Sequence, residues 1–263
     1  MIQFPISAVV VSHNEGHLLE MSLPQLSFCK QVIVVDLESE DNTKEVSVKH
    51  GAELWQHKKV PIVEIIHDWI QEKTTYEWIL ITDPDEVFRK KAVDRLLTIF
   101  PSIPPSIGAV RIPWIFYFKD KELSGTPWGG VNDRVVLVNR ERFEFTSEVH
   151  SGRKLKSGFE TLNIEFVPDL FIEHHWMSSY KQLIEKHRRY LKKEGESRYS
   201  QGKRTTLAAI IKSPMVQFKF AFITKKGYQD FFVGFFLSLF WSWYQTISLI
   251  RLWQFQRKMS LEK

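Results

Sequence analysis

Three short apolar runs in the first third of the chain each end at polar or acidic residues. They are rich in Val and Ile and cover residues 6–11, 31–35 and 78–81. The segments between them have helical spacing at 17–26, 41–50 and 60–73, with one more short strand at 52–55. Strands that alternate with helices of about 10 to 15 residues are typical of βαβ units. The sequence therefore predicts an α/β fold whose mostly parallel sheet is flanked by helices.

The run at 78–81 continues directly into Thr-Asp-Pro-Asp-Glu at residues 82–86. Pro84 fixes its own φ and favours an extended backbone at Asp83, so the chain cannot enter a helix at once. Asp83 and Asp85 are therefore presented at the carboxyl end of a strand, where ligands bind in open α/β sheets. Clustered carboxylates there suit a divalent cation that carries substrate phosphates. An aspartate-rich turn that only caps the next helix is the structural alternative.

Acidic residues recur at the ends of the predicted strands. Glu15, Asp36 and Asp83 each lie at or just past such an end, where a nucleotide would sit. The carboxylate of Asp36 can accept hydrogen bonds from a base or a ribose hydroxyl, and a helix cap is an equal alternative. The sequence contains neither G-x-G-x-x-G nor G-x-x-x-x-G-K-[ST], which argues against a Rossmann dinucleotide site and a P-loop.

The charge is distributed unevenly along the chain. The net charge is +5, but residues 181–263 hold 17 Lys and Arg against five Asp and Glu. The aromatic residues there form one apolar run instead of alternating with basic residues, which argues against a nucleic-acid partner. An anionic membrane surface explains the charge and the apolar run together. The single cysteine, Cys29, excludes an intrachain disulfide and fits a reducing compartment.

Three sequence blocks together resemble the nucleotide-sugar site of family 2 glycosyltransferases. They are Val9 to Glu15, Val34 to Thr43 and Ile81 to Glu86. The third block is similar to the Asp-x-Asp-Glu metal motif of the bacterial branch that includes lipopolysaccharide core glucosyltransferases. The resemblance implies a GT-A fold. It also implies transfer of a sugar from a nucleotide sugar, with UDP as the expected carrier, to an acceptor hydroxyl with inversion at the anomeric carbon.

The resemblance also implies which residues form the site. The nucleotide would contact Ser12, Asn14, Glu15, Asp36 and Asp83. Asp85 would ligate Mg²⁺ or Mn²⁺, a Lewis acid that stabilises the negative charge of the departing diphosphate.

Two adjacent histidines end the strand predicted near residues 171–176. By the same resemblance, His174 is expected as a further metal or diphosphate contact. Adjacent strand residues point to opposite faces, so only one of His174 and His175 can reach the site. Two half-exposed polar residues at a strand end are the structural alternative.

The sequence departs from the family pattern at two places. Leu37 stands where the family often has a second Asp, so base recognition would rest on other groups. The family pattern that ends in Val-His-Glu reads Val-His-Ser here, with Ser151 in last place. The expected base that deprotonates the acceptor is Glu148, followed by Asp133 and His150. A histidine such as His150 is more often structural than catalytic.

Residues 108–172 are expected to form the acceptor side. A Gly-Thr-Pro-Trp-Gly-Gly loop at 125–130 lies between strands predicted at 110–118 and 134–139. Trp114, Tyr117 and Trp128 could stack on a sugar, and core packing is the alternative, above all for Trp114.

The segment 180–193 predicts an amphipathic helix. By similarity, its Lys186, Arg189 and Tyr190 would reach donor or acceptor phosphates. A solvated charged face is the alternative explanation for this run.

Residues 231–250 carry no charge and are long enough to cross a bilayer. Ser238, Ser242 and Gln245 recur at helical spacing, cations flank both ends, and aromatic residues lie in the middle. This pattern favours a monotopic helix in the membrane interface over a span, with burial in a homo-oligomer interface as the third alternative. The expected domains are a GT-A domain at 1–180 and a basic, apolar helical region at 181–263.

The sequence thus predicts a metal-dependent inverting glycosyltransferase at the cytoplasmic face of the inner membrane. It would act in cell-envelope polysaccharide synthesis on a membrane-borne glycolipid or a polyprenyl-linked saccharide. A nucleotidyltransferase would also use paired carboxylates but would normally show a basic glycine-rich loop. A catalytically silent sugar-binding or scaffold protein is the other alternative, and Leu37 and Ser151 are the residues that favour it.

Overall fold

The computed structural model describes residues 3–60, 63–145 and 153–261, which belong to two compact units. The first unit comprises 1–114 and 132–174, and the second comprises 115–131 and 175–263. The second unit therefore includes the glycine-rich loop at 125–130 as well as the C-terminal helices. The domain boundary near residue 180 stays a prediction.

The described strands are numbered in chain order. They are β1 (Phe4–Ser12), β2 (Cys29–Asp36), β3 (Glu53–Gln56), β4 (Trp78–Thr82), β5 (Glu86–Phe88), β6 (Ile107–Phe118), β7 (Lys121–Glu122), β8 (Asn132–Asn139), β9 (Phe143–Phe145), β10 (Arg153–Leu155), β11 (Glu160–Asn163) and β12 (Ile172–Met177).

The described α-helices are α1 (Gly16–Ser22), α2 (Thr43–Lys49), α3 (His67–Lys73), α4 (Lys90–Ile99), α5 (Tyr180–Ser200), α6 (Leu207–Lys219) and α7 (Phe231–Leu261). Short 3₁₀ segments lie at Leu23–Leu26, Val63–Ile66, Phe100–Ser102 and Gly227–Asp230, and a π-helical turn at Phe220–Thr224 follows α6.

The main sheet has the order β3-β2-β1-β4-β8-β6-β12-β5. The strands β3, β2, β1 and β4 are parallel, as the alternating pattern predicts. Beyond β4 the sheet becomes mixed, because β8 runs antiparallel to both β4 and β6. Parallel neighbours need a long crossover, usually a helix. No helix lies between β6 and β8 in the described chain, and this part of the sheet is antiparallel.

The parallel strands β1, β2 and β4 are mostly buried, whereas β3 at the end of the sheet is partly exposed. Ala8 and Val10 of β1 pack into one apolar cluster, and Val9 packs into a second cluster with Ile33 and Ile79. Full burial of such a side chain stabilises the fold by about 1.5–3 kcal/mol. This explains why β1 reads as an almost continuous apolar run, and it fixes the carboxyl ends of the strands at one edge of the sheet.

The second unit is built on α5, α6 and α7. Helices α5 and α6 each pack against α7. A cluster that includes Leu183, Leu237 and Phe240 forms its core together with Phe118 and Trp176. Two side chains cap the helices: Ser179 accepts from the Gln182 amide at 3.1 Å, and Thr206 accepts from the Ala209 amide at 3.2 Å.

Candidate active site

The carboxyl ends of β1, β2 and β3 lie side by side in the first unit. Ser12 is opposite Asp36, and Asp36 is opposite Gln56. The Asp36 carboxylate is buried and accepts from the Ser39 amide at 3.0 Å and from Gln56 Nε2 at 2.9 Å. Asp36 therefore shapes the loop after β2 and also orients the Gln56 amide, a partner that the sequence pattern did not reveal.

Asn14 connects the loops that follow β1 and β2. Its φ of 58° is left-handed, a conformation that Asn tolerates better than most residues. Its amide donates to Ser39 Oγ at 2.9 Å, and its Oδ1 accepts from the Glu40 amide at 2.7 Å. The predicted nucleotide contact Asn14 thus also holds the two loops together.

Asp41 fixes the start of α2 against α1. It accepts hydrogen bonds from the Gly16 amide at 2.9 Å and from the Thr43 amide at 3.0 Å. Burial raises the pKa of Asp41, but the hydrogen bonds from Thr43 and Gly16 outweigh it and hold the pKa below its usual value. A Cβ on Gly16 would lie 2.8 Å from the backbone nitrogen of Thr43, so a larger residue would require the backbone to shift.

His13 and Lys59 form a polar pair at the same edge. His13 Nδ1 lies 2.8 Å from the Leu37 carbonyl, so Nδ1 carries the hydrogen, and Nε2 accepts from Lys59 Nζ at 2.6 Å. The Glu15 carboxylate accepts from the His13 amide at 3.4 Å. The signal for Lys59 in the sequence was the basic His-Lys-Lys stretch that follows the β3 strand.

Leu37 and Ser12 point into the protein. The Leu37 side chain is buried in the cluster of Val9 and Ile33, so the position where the family often has a second Asp serves the core here. Ser12 is also buried, and its Oγ has no hydrogen-bond partner within the part of the chain that the structure describes.

Glu86 organises the acidic motif after β4. Its buried carboxylate accepts from Thr82 Oγ1 at 2.8 Å and from the Asp83 amide at 2.9 Å. Arg134 on β8 forms an ion pair with Glu86 and a hydrogen bond with Asp83 Oδ2 at 2.9 Å. The turn is therefore held by a buried network, and Arg134 neutralises part of its negative charge.

Asp85 and His174 come together at this turn. Asp85 Oδ2 lies 3.2 Å from His174 Nε2, and His174 is opposite Glu86 in the β5–β12 pair. The imidazole stacks on the Trp114 indole at 4.4 Å and 12°, which fixes its orientation. Two atoms that each lie about 2.1 Å from one octahedral cation are about 3 Å apart. The Asp85–His174 pair therefore fits one edge of a divalent-cation shell.

The described part of the chain does not form a complete protein cage for a metal. Among the residues that the structure describes, no three His, Cys, Asp or Glu side chains gather in a ligand set. A two-ligand site is typical of cations that are also held by substrate phosphates and water. The arrangement suits a metal–nucleotide complex better than a structural metal.

Asp133 faces away from the acidic turn. It lies next to Arg134 on β8, and adjacent strand residues point to opposite faces. Its side chain is 60% exposed and forms an ion pair with Arg111 Nε at 3.0 Å. The geometry therefore does not favour Asp133 as the base. Glu148, His150 and Ser151 lie outside the described residues.

The predicted site residues of the second unit have varied surroundings. Arg189 and Tyr190 are exposed on α5, whereas Lys186 is half-buried. Trp128 packs against Trp176 with ring centroids 4.7 Å apart, and Tyr117 stacks on His175 at 5.2 Å. Trp128 and Tyr117 are thus packed against protein rings, and the roles of the α5 residues stay predictions.

The chain is similar in sequence or in structure to several known proteins. No family model matches the sequence. The chain is 21% identical to an uncharacterized glycosyltransferase of Rickettsia typhi over 273 residues, which cover 98% of this chain and 88% of that relative. A glucosyl-3-phosphoglycerate synthase from Mycobacterium tuberculosis, solved with Mn²⁺ and UDP, aligns at 18% identity and a TM-score of 0.36. The alignment covers 43% of this chain and 44% of the synthase, less than half of its length.

A second solved structure aligns over nearly the whole chain. The mannosyltransferase PcManGT from Pyrobaculum calidifontis, solved with GDP-Man and Mn²⁺, matches 96% of this chain and 88% of its own. The TM-score is 0.56 at 14% identity. The predicted fold class is therefore confirmed, and the chain has the GT-A fold that its resemblance to family 2 glycosyltransferases implied.

Proposed function

We propose that this protein transfers a sugar from a nucleotide sugar to an acceptor hydroxyl. The observation that carries the proposal is the Asp85–His174 pair, whose Oδ2 and Nε2 atoms lie 3.2 Å apart. Asp85 belongs to the turn that follows β4, at the carboxyl end of that strand. Ligands bind at this end of strands in open α/β sheets. The PcManGT structure, which aligns with nearly the whole chain, contains GDP-Man and Mn²⁺, and the relative from Rickettsia is called an uncharacterized glycosyltransferase.

The nucleoside would lie along the ends of β1, β2 and β3. Asp36 holds the Gln56 amide by a 2.9 Å hydrogen bond, so an ordered amide replaces the missing second Asp at Leu37 as a group that can recognise a base. Lys59 adds a positive charge at the same edge, held by His13. UDP is the expected carrier, and a GDP-sugar is the competing donor because PcManGT was solved with one.

The cation would be held by Asp85 and His174. Bound there, Mg²⁺ or Mn²⁺ would supply positive charge that stabilises the diphosphate leaving group. The chain itself does the positioning: Glu86 and Arg134 fix the turn that carries Asp85, and Trp114 holds the His174 ring. The expected base, Glu148, would take the proton of the acceptor hydroxyl while the sugar is transferred with inversion.

The acceptor would be a membrane-borne glycolipid or a polyprenyl-linked saccharide at the cytoplasmic face of the inner membrane. Two helical segments, Leu207–Thr224 and Gly227–Ser260, are long and apolar enough to cross a membrane by length and composition. The polar stripe of α7 forms hydrogen bonds within the protein: Ser242 Oγ, for example, donates to the Pro214 carbonyl at 2.7 Å. This supports peripheral attachment, in which lipid covers only one side of the helices.

Ligand-dependent stabilisation tests the proposal. Nucleotide sugars should raise the free energy of unfolding by about 2.7 kcal/mol at a hundredfold excess over the dissociation constant. We expect this stabilisation to need Mn²⁺ or Mg²⁺ and to be lost in Asp85→Asn. Asp94→Asn is the matched control, since Asp94 is half-exposed in a surface pair with Lys90. Thermal melts with UDP- and GDP-sugars identify the donor, and nucleotide release measures turnover.

Two results would contradict the proposal. If no nucleotide sugar stabilises or reacts with the protein, a silent scaffold accounts better for the chain. If nucleoside triphosphates react with release of pyrophosphate and nucleotide sugars do not, the protein is a nucleotidyltransferase.

A further inference from the structure

We propose that α6 and the first turns of α7 insert together into the headgroup region of an anionic membrane, and that Asp230 ties the loop at 124–130 to this inserted surface. We call this set of residues, 207–239, the insertion surface. The inference rests on the membrane location proposed above and names the residues that make the contact. It also adds α6, which the sequence pattern did not identify as a helix.

The insertion surface exposes large apolar side chains that a soluble protein would normally bury. Phe231 and Phe232 are 79% and 74% exposed, and Met215 on α6 is 80% exposed. The other exposed members are Leu207, Ile211, Val216, Ile223, Tyr228, Phe235 and Leu239. A set of ten exposed large apolar side chains in one segment marks an interaction site.

The charges around this surface identify the partner. Residues 197–261 contain ten Lys and Arg and one acidic residue, Asp230. Asp230 is buried, so it does not oppose an anionic partner. Lys212, Lys219, Lys225 and Lys226 are exposed among the apolar side chains. Lysines among the exposed aliphatic groups of α6, followed by the uncharged aromatic run of α7, match an anionic lipid surface, which offers phosphates above and hydrocarbon below.

The polar groups of the two helices are turned inward. Thr246 Oγ1 lies 3.0 Å from Ser213 Oγ, and Trp241 Nε1 donates to Gln217 Oε1 at 3.1 Å. These hydrogen bonds join α6 to α7. The helix pair therefore uses these polar groups for its own contact and leaves apolar side chains such as Met215 and Phe232 exposed.

The positions of two lysines favour insertion in the plane of the membrane over a span. The apolar segment Leu207–Thr224 contains Lys212 and Lys219, and both are exposed. In a helix that crossed the bilayer, Lys219 would lie deep in the hydrocarbon, where charged side chains are strongly disfavoured. In a helix that lies along the interface, both ammonium groups reach the headgroups.

Asp230 connects the insertion surface to the loop at 124–130. Its buried carboxylate accepts from the Ser124 amide at 2.8 Å and from the Gly125 amide at 2.7 Å. The Thr126 amide donates to the Lys225 carbonyl at 2.8 Å. A Cβ on Gly125 would lie 2.1 Å from the Lys226 carbonyl oxygen, so the loop backbone rests directly on the turn before α7. Whatever orders that turn also orders the loop.

The consequence is that lipid binding and loop ordering are one event. When Phe231 and Phe232 enter the lipid, the turn at 225–230 is held at the headgroups and carries the loop with it. The loop then lies beside the headgroup layer, where the sugar of a lipid-borne acceptor is presented.

Vesicle flotation tests the insertion surface without donor or acceptor. Wild-type protein should bind phosphatidylglycerol-containing vesicles more strongly than pure phosphatidylcholine vesicles and should be released by alkaline carbonate. Phe231→Ser/Phe232→Ser should lower the vesicle partition coefficient about tenfold or more. The control is Phe166→Ser/Val167→Ser, an adjacent pair of exposed apolar residues in the first unit, which should bind like the wild type.

Amide hydrogen exchange tests the coupling. In the wild type, anionic vesicles should increase the protection of the Ser124 and Gly125 amides. Asp230→Asn should bind vesicles within about twofold of the wild type, since the exposed surface is unchanged, but should lose this added protection. The wild-type measurement decides the point even if the variant does not fold, because unchanged protection on vesicle binding would overturn the coupling.

Other outcomes separate this inference from the proposed enzyme activity. Vesicle binding that disappears with Phe231 and Phe232 supports the insertion surface even if no nucleotide sugar reacts. Resistance to carbonate would overturn in-plane insertion in favour of a span. A stable dimer in solution that binds no vesicle would show that a second copy of the chain covers this face.

Discussion

At the scale of single residues, Arg134 and Asp133 show how neighbours on one strand serve different purposes. Arg134 is the nearly buried counterion of Glu86 and Asp83, whereas Asp133 forms a surface pair with Arg111. The sequence identified the acidic motif at 83–86 because its residues are consecutive. It could not identify Arg134, which lies 51 positions after Asp83 and reaches it only through the β4–β8 pairing.

We predict that Arg134→Met destabilises the protein by about 3–5 kcal/mol, because it leaves the Glu86 carboxylate buried without its counterion. Asp133→Asn should cost less than about 1 kcal/mol, since exposed ion pairs contribute little. Urea unfolding of the two variants measures the difference. Equal losses would mean that Arg134 is not the counterion of a buried carboxylate.

The second prediction at this scale concerns the general base that deprotonates the acceptor. Glu148→Gln should slow sugar transfer by about 100-fold to 10,000-fold without weakening nucleotide-sugar binding, as expected when a general base is removed. Asp133→Asn should keep near wild-type transfer. Initial rates with a saturating donor distinguish the two variants. If only Asp133→Asn loses activity, the order of the candidates is wrong.

At the scale of elements, α7 illustrates what periodicity can and cannot predict. The stripe of Ser238, Ser242 and Gln245 was visible because it repeats at helical spacing. Its partners were not visible: Gln245 accepts from Arg198 at 3.0 Å, and Ser248 donates to Glu194 at 3.0 Å. The helix α6 escaped prediction because Pro214 interrupts it and Lys212 and Lys219 break its apolar pattern.

The contact between α5 and α7 should give the protein an acid-sensitive stability. Burial among aromatic rings lowers the pKa of His187, so the native state disfavours the imidazolium ion. In the unfolded chain, His187 binds a proton as the pH falls below the usual histidine pKa of about 6.5. The free energy of unfolding should therefore be unaffected by His187 above about pH 7 and should fall as the pH is lowered through 6.5.

Glu194, which also lies on α5, affects stability in a lower pH range. Burial raises the pKa of Glu194, but hydrogen bonds from Arg198 and Ser248 outweigh this effect and lower the pKa. Its contribution to stability is present above the usual pKa of about 4.3 and is lost as the pH falls below that value. Melting temperatures between pH 4 and 8 should show both ranges.

A variant separates the histidine contribution from that of the glutamate. His187→Phe should remove the loss of stability between pH 7 and 5 and keep the loss below pH 4.5. His17→Gln changes an exposed histidine and should melt like the wild type at every pH. An unchanged profile in His187→Phe would show that another group titrates in this range.

At the scale of the whole molecule, the alternation of strands and helices was sufficient to predict an α/β fold with a mostly parallel sheet, and the resemblance of the three sequence blocks implied the GT-A fold. The parallel strands β1, β2 and β4 follow directly from mostly buried runs that are rich in Val and Ile, whereas β3 is a short, partly exposed strand. The antiparallel part beyond β4 did not follow, because the pairing of β8 with β4 and β6 depends on long-range contacts and not on local spacing. The assignment of residues 115–131 to the second unit did not follow from local spacing either, since they come from the middle of the chain.

The candidate site was predictable where its residues are consecutive or end a strand. Asp36, Asp83 and Asp85 belong to that group. Gln56, Lys59 and Arg134 do not, because each reaches the site from another strand or loop. A motif therefore locates the site along the chain, whereas the fold determines which counterions and amides surround it.

The most direct test of the account is nucleotide release from a UDP-sugar, measured with Mn²⁺ and with excess chelator in the wild type, Asp85→Asn and Asp94→Asn. We expect Mn²⁺-dependent release in the wild type and in Asp94→Asn. We expect no release with chelator or in Asp85→Asn, although that variant should melt like the wild type. Full activity of Asp85→Asn, or undiminished release in saturating chelator, would contradict a metal-dependent transferase built on Asp85 and His174.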